Sequence, residues 1–304
     1  KSTLILRQMS SINENSKPTN VTSSMTNSVS NLAVEKYPTG HTVAVGSHKV
    51  EVVRYLTEGG FAQIYVVKFI ELLNEFNANA HNSELKVGDL ACLKRVMVHD
   101  ENGLNEMRNE VDVMKLLKDK ANVVQYFDSN ATRNQTKSGG FEVLLLMEFC
   151  PNKSLLDFMN QRLTTKLSEH EVLKIMYDVS VGIAQLHYLE TPLIHRDIKI
   201  ENVLVDSQNN FKLCDFGSTT KCHSVPTSPQ DIANLSQDIY VHTTPQYRSP
   251  EMIDLYRYLA VNEKSDIWAL GIFLFKLLFY TTPFERTGQF AILHSKYDIP
   301  QCNY

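Results

Sequence analysis

The 304-residue chain predicts an α+β fold of two lobes: a small, mostly antiparallel β-sheet lobe carrying one long helix, then a larger helical lobe. Three observations predict it. Between Thr42 and Val96, β-branched and aromatic runs are broken by turn residues. Between Leu104 and Leu117, apolar residues recur at helical spacing. Beyond Pro151 the periodicity becomes mainly helical, and the 43% hydrophobic composition suffices for a large core.

Ser10 to about Glu35 is rich in Ser, Asn and Thr and poor in aromatics, so residues 1–36 are expected to be a disordered leader. Lys1 to Gln8 lacks the long apolar region of a secretory signal. Val43 to Leu56 and Ile64 to Val67 read as two strands around a glycine pair. The Asn-rich stretch Glu71 to Lys86 reads as an extended hairpin insertion before a strand over Asp89 to Val96. Leu104, Met107, Val111, Met114 and Leu117 form the stripe of an amphipathic helix, and Val123 to Phe127 and Val143 to Met147 supply two further strands. The sheet lobe therefore spans 37–150. In the helical lobe, 151–304, the clearest stripe is Val172, Ile175, Met176, Val179, Ile183 and Leu186.

A net charge of −4 with no basic cluster offers nothing to neutralise a nucleic-acid backbone, so nucleic acid is excluded as a partner. Five scattered cysteines without CxxC spacing argue against zinc or a redox pair and fit a reducing, cytoplasmic setting. Leu270 to Tyr280 is too short and too interrupted by Lys276 for a membrane span, and reads as a buried helix.

The strongest chemical signal is His195-Arg196-Asp197-Ile198-Lys199-Ile200-Glu201-Asn202, followed at short distance by Asp215-Phe216-Gly217. Any one of these residues alone is a common turn or capping residue; the joint spacing is that of the protein-kinase catalytic loop and Asp-Phe-Gly motif. Phosphoryl transfer needs a positioned hydroxyl and neutralised phosphates. Asp197 would accept the proton of the substrate hydroxyl, Asn202 and Asp215 would hold Mg²⁺, and Lys199 would steady the transferring group. A lysine at this place is the serine/threonine-kinase pattern. Upstream, Lys94 ends a strand in Ala91-Cys92-Leu93-Lys94 and would reach the ATP phosphates. Glu106 and Glu110 share a helix face as its possible partners. Glu110 is chosen because Val111, Val113 and Met114 follow it as a buried side should.

The loop from Leu56 to Ile64 would cover the phosphates, although Thr57 and Ala62 replace two of the three glycines of the kinase pattern. Gly59 keeps the position where backbone approaches phosphate, and Gly60 adds freedom. Leu144 to Met147 runs into Glu148-Phe149-Cys150-Pro151, a hinge whose backbone would bond adenine, with Met147 as gatekeeper. Leu56, Ile64, Cys92, Met147, Glu148, Cys150, Leu204 and Cys214 would line the adenine slot, and Cys150 at its mouth is a candidate for alkylation. Downstream, Thr244 would bridge Asp197 and Lys199. Asp266, at the opening of an apolar helix, would brace the catalytic loop, unless it is simply that helix's N-cap. Ser224, Thr227, Ser228, Ser236, Tyr240 and Thr243 are candidate phosphorylation sites, and Arg196 is a candidate partner for such a phosphate.

Together these motifs resemble the protein-kinase superfamily from about Tyr37 to the last residue, which implies the bilobal kinase fold. More narrowly, EGGFAQIY, CLKR, LLLMEFC, KLCDFGSTT, TTPQYRSPEMIDLY and EKSDIWALGIFLFKLLFYTTPF resemble the Numb-associated kinase family, and within it the fungal actin-regulating kinases. The resemblance implies a serine/threonine kinase using ATP and Mg²⁺. Its implied substrates are endocytic adaptors or actin-regulating proteins at cortical actin patches, often phosphorylated on threonine followed by glycine. It also implies an extra helix after the activation segment, placed here at Met252 to Tyr258. Further helices of the large lobe would follow Tyr304, including an arginine to pair with Glu251. The rival expectation is a pseudokinase scaffold that binds nucleotide without turnover, suggested by the missing loop glycines.

Overall fold

A computed structural model describes residues 35–59, 62–73, 85–133, 139–285 and 287–301. Residues 1–34 of the expected leader, Gly60, Phe61 and most of the expected hairpin insertion lie outside the described residues, whereas Lys36, at the leader's end, pairs with Glu58 (3.1 Å). The sheet lobe contains β1 (Thr42–Val45), β2 (His48–Gly59), β3 (Ala62–Leu72), β4 (Leu90–Val98), α1 (Glu101–Leu116), β5 (Tyr126–Arg133) and β6 (Phe141–Glu148). Its six strands are ordered β1-β2-β3-β4-β6-β5, every neighbour antiparallel.

The run from Val43 to Leu56 is two strands rather than one. Gly46 turns the chain at φ +56°, and a Cβ there would lie 2.3–2.4 Å from the Asp128 carboxylate. That carboxylate accepts from the Ser47 amide (2.8 Å) and hydroxyl (3.0 Å) and pairs with His48 Nδ1 (2.8 Å), pinning the β1–β2 turn to β5. The fifth strand begins at Tyr126 rather than Val123, because Val123 bridges to Leu213 instead.

Helix α1 is capped by Asp100, whose side chain accepts from the Gly103 amide, and it buries Leu104, Met107, Glu110, Val111, Val113 and Met114. Glu106 is exposed. The helical lobe follows as α2 (Leu155–Asn160), α3 (Glu169–His187), β7 (Leu193–Ile194), β8 (Val203–Val205), β9 (Phe211–Leu213), β10 (Thr220–Lys221), α4 (Pro229–His242), α5 (Pro250–Ile253), α6 (Glu263–Phe279) and α7 (Gly288–Leu293). Strands β8 and β9 form one small hairpin, and β7 pairs with β10.

Ser168 and Glu171 make a capping box that starts α3, whose stripe of Val172, Ile175, Val179, Ile183 and Leu186 is buried in the main core. Gly182 lets α3 approach the chain at Asn122, since a Cβ would meet the Asn122 carbonyl at 2.6 Å. The helix expected at Met252 to Tyr258 is only the end of α5 and a single 3₁₀ turn over Leu255–Arg257; the long helix of this region is α4. It buries Ile232, Leu235 and Ile239 against Ile194, Met252, Leu255 and Val261, a separate small core. Helix α6 is capped by Asn262, so Asp266 sits inside its first turn and is not the N-cap. No helix among the described residues is long and apolar enough to cross a membrane.

Candidate active site

The catalytic-loop residues are set by one buried carboxylate. Asp266, 1% exposed, accepts the His195 amide on Oδ2 (2.8 Å) and the Arg196 amide on Oδ1 (2.9 Å), and also meets His187 Nε2 at 2.8 Å. Two backbone N–H groups with no strand or helix partner are thereby satisfied, and the turn into Asp197 is fixed from beneath. Beyond it, the Asn202 amide donates to the Asp197 carbonyl (2.8 Å) and to Asp197 Oδ2 (2.9 Å). Lys199 Nζ donates to Asp197 Oδ2 (2.6 Å) and to Thr244 Oγ1 (3.1 Å), and Thr244 donates to Asp197 Oδ1 (2.6 Å). Asp197, Lys199, Asn202 and Thr244 therefore form one connected network.

From the sheet lobe, Lys94 on β4 donates to both carboxylate oxygens of Glu110 on α1, at 2.7 and 2.9 Å. Burial opposes the Lys94 ammonium, but attraction to Glu110 and Asp215 outweighs it and raises the pKa, so the lysine stays charged. Asp215 adopts the left-handed conformation (φ +63°). Its carboxylate has no hydrogen bond or ion pair among the described residues, a hard oxygen donor left for a cation. Nor do three His, Cys, Asp or Glu side chains gather as a metal cage among the described residues. A divalent ion here would rest on Asp215, Asn202 and phosphate oxygens. Asn109 on α1 donates to the Thr219 carbonyl (2.9 Å), tying that helix to the chain just after Asp215.

The register of the sheet brings several of the residues expected around a nucleotide onto neighbouring strands. Ile64 lies opposite Lys94 and Thr57, Cys92 opposite Val66 and Met147, and Gly59 opposite Ala62. Leu204 comes from β8, and the Cys214 amide bonds the Asn202 carbonyl (3.0 Å). Leu56 is 36% exposed, as an edge of an open slot should be. The Glu148 side chain is turned to Lys212 (2.5 Å) and the Gln125 amide (3.2 Å), and its backbone amide donates to the Gln125 carbonyl (2.9 Å), so its own carbonyl is the group left for a ligand. The expected reactivity of Cys150 does not survive: its thiol is buried, and desolvation followed by the Glu148 charge pushes its pKa up to about 12.

Arg196 does not wait for a phosphate either. Its Nε donates to the Ser218 carbonyl (2.6 Å) and its Nη1 pairs with Asp238 on α4. Asp238 and helix α4 were not singled out by motif reading, although Ser228-Pro229-Gln230-Asp231 carries the capping-box signature with proline at the first helical position. Glu251 accepts from the Ser265 hydroxyl (2.6 Å).

The pattern common to the protein kinase domain matches residues 79–302. The serine/threonine-protein kinase AKL1 of Saccharomyces cerevisiae is 70% identical over 286 residues, covering 94% of this chain and 26% of that protein. Actin-regulating kinase 1 of the same yeast is 51% identical over 264 residues, covering 87% of this chain and 40% of its own length. Actin-regulating kinase PRK1, also from S. cerevisiae, is 48% identical over 267 residues, covering 88% and 32%. The chain thus spans about a quarter to two fifths of the length of these relatives, which fall in the Numb-associated branch that its motifs resemble. With the match spanning well over half of its residues, the chain belongs to the protein kinase domain family.

Proposed function

We propose that this protein transfers the γ-phosphoryl group of ATP to serine or threonine hydroxyls of other proteins. The observation that carries the reading is the Asp197 network. Both carboxylate oxygens are oriented by Thr244, Lys199 and Asn202 within one buried cluster. In this reading Asp197 takes up the hydroxyl proton and aims the oxygen. Lys199, bonded to Asp197 and Thr244, steadies the transferring group, and Lys94, held by Glu110, meets the α- and β-phosphates. The adenine lies among Leu56, Ile64, Cys92, Met147, Leu204 and Cys214, bonded by the backbone at Glu148 and Cys150, while Gly59 lets backbone near the phosphates. Asp215 and Asn202 would hold Mg²⁺, which would supply neutralisation of the phosphate charge.

The chain is organised as a sheet lobe over 37–150 and a helical lobe from 151 onward, with the slot between them. A scaffold that merely binds nucleotide finds no support, because every chemically required position is filled. Two of the relatives are named actin-regulating kinases, which supports actin-regulating proteins or endocytic adaptors as substrates and cytoplasmic cortical actin patches as the place of action. In the full-length protein, Asp197→Ala should abolish phosphate transfer to a peptide library by at least ~10³-fold while ATP binding persists. Transfer surviving that change would overturn Asp197 as the base. The same library would reveal whether threonine followed by glycine is preferred.

A further inference from the structure

We propose, on the reading that the loop from Leu56 to Ile64 covers the ATP phosphates, that the segment Glu35–Tyr37 is a strap that positions this loop. Through it, Tyr37 and Arg95 set the affinity for ATP rather than the rate of transfer.

Arg95 follows Lys94 on β4, so the two side chains leave on opposite faces of the sheet, Lys94 to Glu110 and Arg95 to Glu142. The Arg95 guanidinium gathers three groups. Its Nε donates to Glu142 Oε1 (2.6 Å), and its Nη1 donates to the Glu35 carbonyl (2.7 Å) and to Gln63 Oε1 (3.0 Å). The Tyr37 ring centroid lies 4.0 Å from the same guanidinium. The Tyr37 hydroxyl donates to Glu142 Oε1 (3.0 Å), and its amide donates to the Tyr65 hydroxyl (3.1 Å), which in turn donates to Gln63 Oε1 (2.7 Å). Gln63 and Tyr65, 4% and 0% exposed, begin the strand that leaves the loop.

The strand that enters the loop is held by the same segment. Lys36 pairs with Glu58 (3.1 Å) and stands 4.1 Å from the Tyr55 ring centroid, while the Tyr55 hydroxyl donates to Glu58 (3.1 Å). This pair is half exposed and contributes little alone, so the hold rests mainly on Arg95 and Tyr37. Glu58 and Gln63 are cross-strand partners, followed by Gly59 and Ala62. One short segment therefore grips both arms at the rung before the turn. Its far end is fastened to β2, where the Gly40 amide donates to the Val52 carbonyl and the Val52 amide to the His41 carbonyl, both at 2.8 Å.

A loop fixed before its ligand arrives loses less conformational freedom on binding, which favours affinity. The Asp197 network is built from the helical lobe's own residues, so the chemical step does not pass through the strap.

The test uses full-length protein with Mg²⁺. Tyr37→Ala should raise both the KM for ATP and the calorimetric dissociation constant of ATP roughly ten-fold, with kcat within about two-fold of wild type. Tyr37→Phe keeps the ring beside Arg95 and loses only the bond to Glu142, so it should stay within about three-fold. Without nucleotide, amide exchange in Tyr37→Ala should rise in 55–59 and 62–66 and stay unchanged in 195–202. Should Tyr37→Ala fail to fold, Arg95→Lys reads the same split at roughly five-fold in KM, since an ammonium keeps the charge but cannot span Glu35, Gln63 and Glu142. An unchanged affinity for ATP would overturn the strap, as would a kcat that falls as far as KM rises, because the strap would then act through Lys94. Wild-type protein that binds ATP without transferring phosphate would instead overturn the kinase reading, while calorimetry and exchange would still decide the strap.

Discussion

Lys94 and Glu110 meet between a nine-residue strand and a sixteen-residue helix, both embedded in the sheet lobe's own packing. Arg196 and Asp238 meet between a loop braced from below and a fourteen-residue helix that packs on a small core of its own. The first pair joins two motif residues, whereas the second joins a motif residue to one outside any motif. The difference separates what the chemistry demands from what this chain supplies. In the proposed function a charged lysine must meet the phosphates, whereas the anion opposite Arg196 is supplied by a helix that the surrounding fold holds still.

Substitutions at the supports of each pair sharpen that contrast. The largest effect is expected at Asp266, shared by both halves of the catalytic loop. Asp266→Ala strands two buried amides and should cost about 3–5 kcal/mol, read from the denaturant midpoint. Glu110→Gln leaves the Lys94 charge without its counter-ion. It should lower kcat/KM at least ~100-fold, about 2.7 kcal/mol, in steady-state kinetics with varied ATP. Ser228→Ala removes the α4 cap and should cost about 1 kcal/mol of thermal stability, with local amide exchange in 229–242 rising before the rest of the chain.

The smallest effect is electrostatic. Burial raises the Asp238 pKa, yet the hydrogen bond from His242 and the Arg196 charge prevail and lower it from 3.8 to about 2. A group that binds its proton more weakly when folded lends stability above its unfolded pKa. That contribution should disappear as pH falls from about 4 to about 2. With about a third of the side chain exposed, roughly 1 kcal/mol is expected, and Asp238→Asn should remove that share of the pH dependence in acid-unfolding curves while the other carboxylates with lowered pKa keep theirs.

Helices α1 and α3 were legible in the sequence because their apolar stripes recur over several turns and their caps are local. The Asp197, Lys199 and Asn202 cluster was legible because phosphoryl transfer dictates both residue types and spacing. Helix α4 was not. Its buried apolar residues are Ile232, Leu235 and Ile239, set among Gln, Asn, Asp and Ser, and what holds it are partners such as Ile194 and Val261, remote in the chain. The β1–β2 break was equally hidden, since the carboxylate that pins the turn at Gly46 arrives from Asp128. Asp266 was correctly read as the brace, while the start of its helix is set by Asn262, four residues before it.

Three of the residues proposed to hold adenine are cysteines, Cys92, Cys150 and Cys214, and burial raises all three thiol pKa values, the first two to about 12. At neutral pH essentially none is thiolate, and peroxide and electrophiles attack the thiolate. In the proposed function these side chains would meet the nucleotide as a soft, polarizable surface against a flat aromatic ring. A site so lined is expected to resist thiol-directed reagents, and a ligand placed there would hold by shape rather than by a covalent bond.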